Sequence, residues 1–198
     1  FVNTMIAAYN AGVTAPSVSF KDKSGSKIQS VYMLYDPVNH IVLDDKNNGT
    51  ISVNFQADDY NILAGGQQLC VEFYKSCADD TAGAISVDGI TGKVLRLKTD
   101  GEHGLKITDS NGKVISPTER NGVKNCYPIT NGATYTLKYS SDEMGLFRTD
   151  TSGKILNEGA QAATIYARVY TVYDNGSKVT PCGIAELSIS AQELFELD

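Results

Sequence analysis

The sequence predicts an all-β protein, a sandwich or a barrel rather than a parallel α/β sheet. Two observations lead there. Apolar side chains alternate over short runs, most clearly at Tyr135, Leu137 and Tyr139 and at Ala163, Ile165, Ala167, Val169, Thr171 and Tyr173. A period of two places every second side chain on one face of a sheet. Turn residues punctuate these runs at intervals of about ten residues, the spacing of short antiparallel strands.

In chain order, residues 1–16 form an N-terminal arm whose pattern fits two conformations. Val2, Met5, Ile6, Tyr9 and Val13 follow helical spacing, with Asn3 as N-cap and Gly12 as stop. Phe1, Met5, Ala7, Tyr9, Ala11 and Val13 follow strand spacing equally well. From residue 17 strand patterns dominate, and residues 17–198 are expected to form one β domain. Residues 17–20 are a short strand, and residues 27–35 and 40–43 flank an Asp36-Pro37 turn. Ile51, Val53 and Phe55 alternate with Ser52, Asn54 and Gln56 after the turn Asn47-Asn48-Gly49, so a hairpin between 40–43 and 51–55 is expected. Leu69, Val71 and Phe73 make the next face, after Gly65-Gly66. Residues 85–87 and 94–98 are separated by Asp88-Gly89 and Thr91-Gly92. Residues 104–108 run into the turn Asp109-Ser110-Asn111-Gly112, before the two alternating strands already named. Beyond Asp174-Asn175-Gly176 and Pro181, Ala185, Leu187, Ile189 and Ala191 face one way and Glu186, Ser188 and Ser190 the other, an extra strand over 183–191. The alternation places Val53, Phe55, Val71, Leu105, Leu137, Ile165 and Val169 in a core between two packed antiparallel sheets.

At 198 residues the chain can bury a sizeable core. The net charge is -6 with no basic run, which argues against nucleic-acid binding. Apolar stretches are too short to span a membrane, so no membrane insertion is expected. The first residue is Phe1 rather than Met, read as a mature N-terminus after signal-peptide removal or as a cut end.

Four cysteines, Cys70, Cys77, Cys126 and Cys182, favour disulfides and an oxidising compartment. A zinc site would want close Cys-x-x-Cys pairs, which are missing. Of the three ways to pair them, Cys70–Cys77 with Cys126–Cys182 is preferred: the first closes a short loop, the second ties the middle of the chain to its C-terminal arm.

Catalytic constellations are thin, so no enzyme, cofactor or metal is expected. His40 and His103 have no partner at a recognisable spacing. Gly-x-Ser-x-Gly, His-Glu-x-x-His and phosphate-cradling glycine loops are absent. Asp44-Asp45-Lys46-Asn47-Asn48-Gly49 fails as a calcium loop, because Lys46 and Phe55 occupy ligand positions. Asp79-Asp80 reads as a loop. Eleven tyrosines and no tryptophan suggest that Tyr32, Tyr35, Tyr60, Tyr74, Tyr166 and Tyr170 lie on exposed or half-exposed faces, suited to sugars or interfaces, although strand propensity explains them too. Asn48-Gly49-Thr50 and Asn175-Gly176-Ser177 match the glycosylation pattern, and Asn-Gly is also a common turn.

Residues 104–173 carry a resemblance. Gly104-Leu105-Lys106-Ile107 with Asp109-Ser110-Asn111-Gly112, then Asn131-Gly132 with Tyr135-Thr136-Leu137-Lys138-Tyr139, then Gly159-Ala160 with Ala163-Thr164-Ile165-Tyr166 and Tyr173, resembles the closing half of chaperone–usher fimbrial subunits. The resemblance implies an immunoglobulin-like sandwich that lacks its last strand and is completed by strand addition from a neighbour. It implies a non-catalytic structural or adhesive subunit of an extracellular bacterial fibre, exported through the periplasm. The implied partners are neighbouring pilus subunits, a periplasmic chaperone and usher, and a host glycan or protein receptor. Two features depart from the family. Its single early disulfide has no equivalent in Cys70–Cys77, and this chain continues past Tyr173. The continuation, through Leu187 and Ile189, would fill the groove, and the arm, through Met5, Tyr9 and Val13, would be free for a neighbour. Alternative readings are another extracellular or virion β-sandwich, such as a phage structural protein or carbohydrate-binding module, or a truncated type IV pilin-like subunit.

Overall fold

In a computed structural model, residues 16–36, 41–43, 49–58, 67–77, 81–146, 151–152, 162–173 and 179–193 are described. The strands are β1 (Ser17–Lys21), β2 (Lys27–Ile28), β3 (Ser30–Asp36), β4 (Ile41–Leu43), β5 (Thr50–Asp58), β6 (Gln67–Ser76), β7 (Val94–Arg96), β8 (Lys106–Thr108), β9 (Val114–Ile115), β10 (Thr118–Arg120), β11 (Val123–Ile129), β12 (Thr134–Ser140), β13 (Ala162–Tyr173) and β14 (Val179–Glu193). Among the described residues a short helix, α1 (Ser141–Met144), follows β12. Ser140 caps it through a side chain that accepts from Asp142 N, and Gly145 ends it at φ 67°.

The strands form two sheets, as the alternation predicts. Among the described residues one has six strands in the order β2-β1-β5-β12-β8-β9. The other has eight, in the order β10-β11-β6-β13-β14-β3-β4, with β7 on β6. The pairings are antiparallel except β14 with β3, which is parallel from Ser188↔Ser30 to Glu193↔Tyr35. This qualifies the expectation of purely antiparallel sheets. β13 and β3 run in opposite directions, so a strand lying between them must be parallel to one.

Residues 27–36 belong to both sheets. β2 pairs with β1 through Phe20↔Ile28. Two residues later β3 pairs with β14, and at the crossing the Gln29 carbonyl accepts from Ser188 N at 2.8 Å. The expected hairpin between 40–43 and 51–55 does not form. β4 pairs back onto β3 through Tyr35↔Val42, whereas β5 lies in the other sheet between β1 and β12. β3 and β4 therefore form the local hairpin, and the chain changes sheets between β4 and β5. Residues 85–87, expected as a strand, make one bridge, Ile85↔Val94.

The core lies between the sheets. β1, β5, β12 and β8 contribute Phe20, Ile51, Phe55, Leu137 and Ile107; β3, β6, β13 and β14 contribute Met33, Val71, Phe73, Ile165, Val169, Leu187 and Ile189. All seven predicted core residues are in it. Phe55 meets Phe73 edge-on across the sheets, with ring centroids 5.0 Å apart, and stacks on Tyr135 at 5.6 Å.

Candidate functional site

The first candidate site is the seam around β14. Val169, Ile165 and Ala167 of β13 flank it on one side and β3 on the other. Leu187 and Ile189 are completely buried, and Ala191 nearly so, while Glu186, Ser188 and Ser190 face out. Period-two alternation produces this division directly. The strand is longer than the 183–191 read from sequence. Its early part abuts β1: Gly183 N donates to the Pro16 carbonyl at 3.0 Å. A Cβ on Gly183 would lie 2.8 Å from Ser17 Cα, so only glycine permits this approach. Met5, Tyr9 and Val13, expected to serve strand addition, lie outside the described residues.

The cysteines pair differently from the expectation. Cys70 is joined to Cys126, with a Cα–Cα separation of 5.5 Å, and Cys77 and Cys182 are free. Sheet geometry gives the reason. β6 and β11 are antiparallel neighbours in the register Pro128↔Cys70, so Cys126 lies diagonally across on the same face. Cys70 and Cys77 lie along one extended run, roughly 3.3 Å per residue apart, far beyond the reach of a disulfide. Cys126 and Cys182 are separated by β6 and β13, at about 4.8 Å per strand step, and are likewise out of reach. Burial raises the Cys182 thiol above its ordinary pKa.

The second candidate is a covered outer face on the large sheet. Residues 84–90 fold over it, burying Ile90 against Tyr74 together with Val94 of the adjoining β7. Beneath this cover lie Glu72, at 1% exposure, and Arg168, at 6%. Tyr74 Oη donates to Glu72 Oε2 at 2.5 Å, and Arg96 Nε donates to Glu72 Oε1 at 2.7 Å. The hydroxyls of Tyr74 and Tyr170 are 3.1 Å apart. Arg168 Nη1 donates to the Asp88 carbonyl and pins the cover. Gly89, at φ 85°, lets the cover turn there, where a Cβ would meet Ile184 Cδ1 at 2.8 Å. Burial pushes the Glu72 carboxyl above the usual carboxylate range, while the Tyr74 hydroxyl and the Arg96 guanidinium pull it back.

This face corrects the tyrosine expectation at Tyr74 and Tyr170, while Tyr32 and Tyr166 agree with it. Tyr74 and Tyr170 are buried in the network, Tyr166 is half-buried, and Tyr32 is 51% exposed. Tyr60 and the Tyr35 side chain lie outside the described residues. Alternation does not predict the cover, yet the sequence carries a signal of it. In Leu69-Cys70-Val71-Glu72-Phe73-Tyr74 only Glu72 interrupts the apolar run, the mark of a strand buried on both faces. β11 is likewise hidden in the sequence, because Pro128 in it argues against a strand interior.

The remaining candidates stay apart. His103 is exposed in the loop before β8, and His40 lies outside the described residues. Among the described residues no group of three or more His, Cys, Asp and Glu side chains could hold a metal ion. Among the same residues no helix is long and apolar enough to cross a membrane.

No protein-family model and no curated protein matches the chain. Several solved structures align with it at low similarity. The CooA pilin subunit from enterotoxigenic Escherichia coli aligns at 11% identity and a TM-score of 0.31, covering 90% of this chain and 99% of that one. The N-terminal domain of PorA aligns at 11% identity and a TM-score of 0.32, covering 89% of this chain and 98% of that one. The C-terminal domain of the AgI/II polypeptide BspA from Streptococcus agalactiae aligns at 11% identity and a TM-score of 0.30, covering 89% of this chain and 50% of that one. Alignments at this level establish neither a shared family nor a shared function.

Proposed function

We propose that the chain is a non-catalytic structural or adhesive subunit of an extracellular bacterial fibre, joined to its neighbours by strand addition. The observation that supports this reading best is the place of β14. The fimbrial resemblance ends at Tyr173, the last residue of β13, and β14 then lies between β13 and β3. Without it, both neighbours would present unpaired backbone, and the cavity holding Leu187 and Ile189 would be open. A sheet of this kind accepts a strand with alternating apolar side chains, from within or from outside. Here the strand comes from within, which leaves the arm, with Met5, Tyr9 and Val13, to serve a neighbour whose corresponding position is open. Export by a periplasmic chaperone and usher, and a host receptor for an adhesive form, belong to the same reading.

The test pairs two forms of the chain. One ends at Tyr173 and so has an open position; adding a peptide of residues 179–193 checks that this position refolds. Mixed with full chain, the open form should yield a stable complex on size exclusion with light scattering. Full chain lacking residues 1–13 should remain a folded monomer and yield none. If that shortened donor joins as well as the parent, or unfolds, the role given to the arm is wrong.

A further inference from the structure

We propose that the outer end of the six-stranded sheet binds an acidic sugar, one hydroxyl-rich ring carrying a single carboxylate. This deepens the adhesive side of the function proposed above and rests on it. The starting observation is a register pair. Lys106 of β8 stands directly opposite Lys138 of β12, and both side chains are exposed on the outer face. Like charges placed opposite each other across a strand pair oppose folding. Neither lysine forms an ion pair with a described carboxylate. The pair is therefore a local positive focus on a chain of net charge -6.

The two lysines line a cavity of about 330 Å³ together with Glu102, His103, Ser140 and Asp142. The loop that brings Glu102 and His103 there is held in shape. Leu105 N donates to the Lys98 carbonyl at 2.7 Å and Gly104 N to the Gly101 carbonyl at 3.2 Å. A Cβ on Gly104 would come within 2.5 Å of the Asp100 carbonyl oxygen, so the closure depends on glycine. On the other side, Ser140 Oγ accepts from Asp142 N, leaving the hydroxyl proton to donate.

The donors and acceptors select the ligand. Two ammonium groups side by side bracket one carboxylate with charge-assisted hydrogen bonds. Glu102 and Asp142 accept only, which suits sugar hydroxyls and repels a polyanion such as nucleic acid. His103 and Ser140 can both donate and accept. The apolar area is small, so hydrogen bonding supplies the recognition, and weak affinity for a single ring is expected.

The experiment is an amide NMR titration of the full chain with glucuronic acid, N-acetylneuraminic acid, neutral methyl glucoside and acetate. At least one sugar acid should give saturable shifts centred on Lys106, Lys138 and His103, and methyl glucoside and acetate should not. Lys106→Gln and Lys138→Gln, both exposed changes that also relieve the like-charge pair, should each weaken that binding about tenfold without lowering the thermal midpoint. The absence of saturable binding by either acid overturns the proposal. So does equal binding of methyl glucoside or acetate, or unchanged affinity in both variants. The lysines lie on the sheet that does not contain β14, so the Gln variants should still take part in the strand-addition assay. A failure here is thereby separated from a failure of the assembly reading.

Discussion

Glu72 shows how much one residue can depend on its surroundings. It sits on β6 among apolar neighbours, is 1% exposed, and is held by Tyr74 and Arg96. Burial raises its folded-state pKa above the unfolded value, so the folded protein keeps the proton to higher pH. The stability linked to that proton is fully present below the unfolded carboxylate pKa and is lost as pH rises through the folded one. Glu72→Gln, which does not titrate, should therefore gain on the parent as pH rises from about 4 to 7. Thermal melts of both proteins across that range check the sign. A gain on the parent as pH falls instead would mean that the Arg96 pair dominates over burial.

At the scale of elements, β14 carries the most consequence. It closes the edges of β13 and β3 and presents Leu187 and Ile189 to the core between Ile165 and Val31. Leu187→Ala removes fully buried methyl groups and should cost about 2–5 kcal/mol in denaturant unfolding. A variant as stable as the parent would show that the strand adds little to the fold. The alternation of residues 183–191 makes this strand legible in the sequence, and the same is true of β5, β12 and β13. What alternation does not reveal is a partner. The expected hairpin of 40–43 with 51–55 fails for that reason: both strands exist, but they sit in different sheets.

Across the whole molecule, the Cys70–Cys126 bond links β6 to β11 and closes a loop spanning 56 positions. On the chain-entropy account a loop of that length contributes roughly 4 kcal/mol. Non-reducing peptide mapping should find Cys70 joined to Cys126, with Cys77 and Cys182 alkylated. Replacing both bonded cysteines by Ser should lower stability by an amount approaching that figure. A map joining Cys126 to Cys182 would contradict the order β11-β6-β13-β14.

The class of the fold and the inward face of its main strands are legible in the residues alone, because side-chain alternation is a local property of an extended chain. So are a strand beyond Tyr173 and four cysteines with no metal spacing. Which strands are neighbours emerges only from the folded chain, and with it the disulfide, the sheet change at Gln29 and the parallel seam of β14 with β3. Those depend on contacts between residues far apart in the chain, to which a period of two is blind. The covered face around Glu72 belongs to the same group. The apolar run around it signals burial on both sides of β6, but only the folded chain reveals that residues 84–90 supply the cover and that Arg96, on the adjoining β7, supplies the charge.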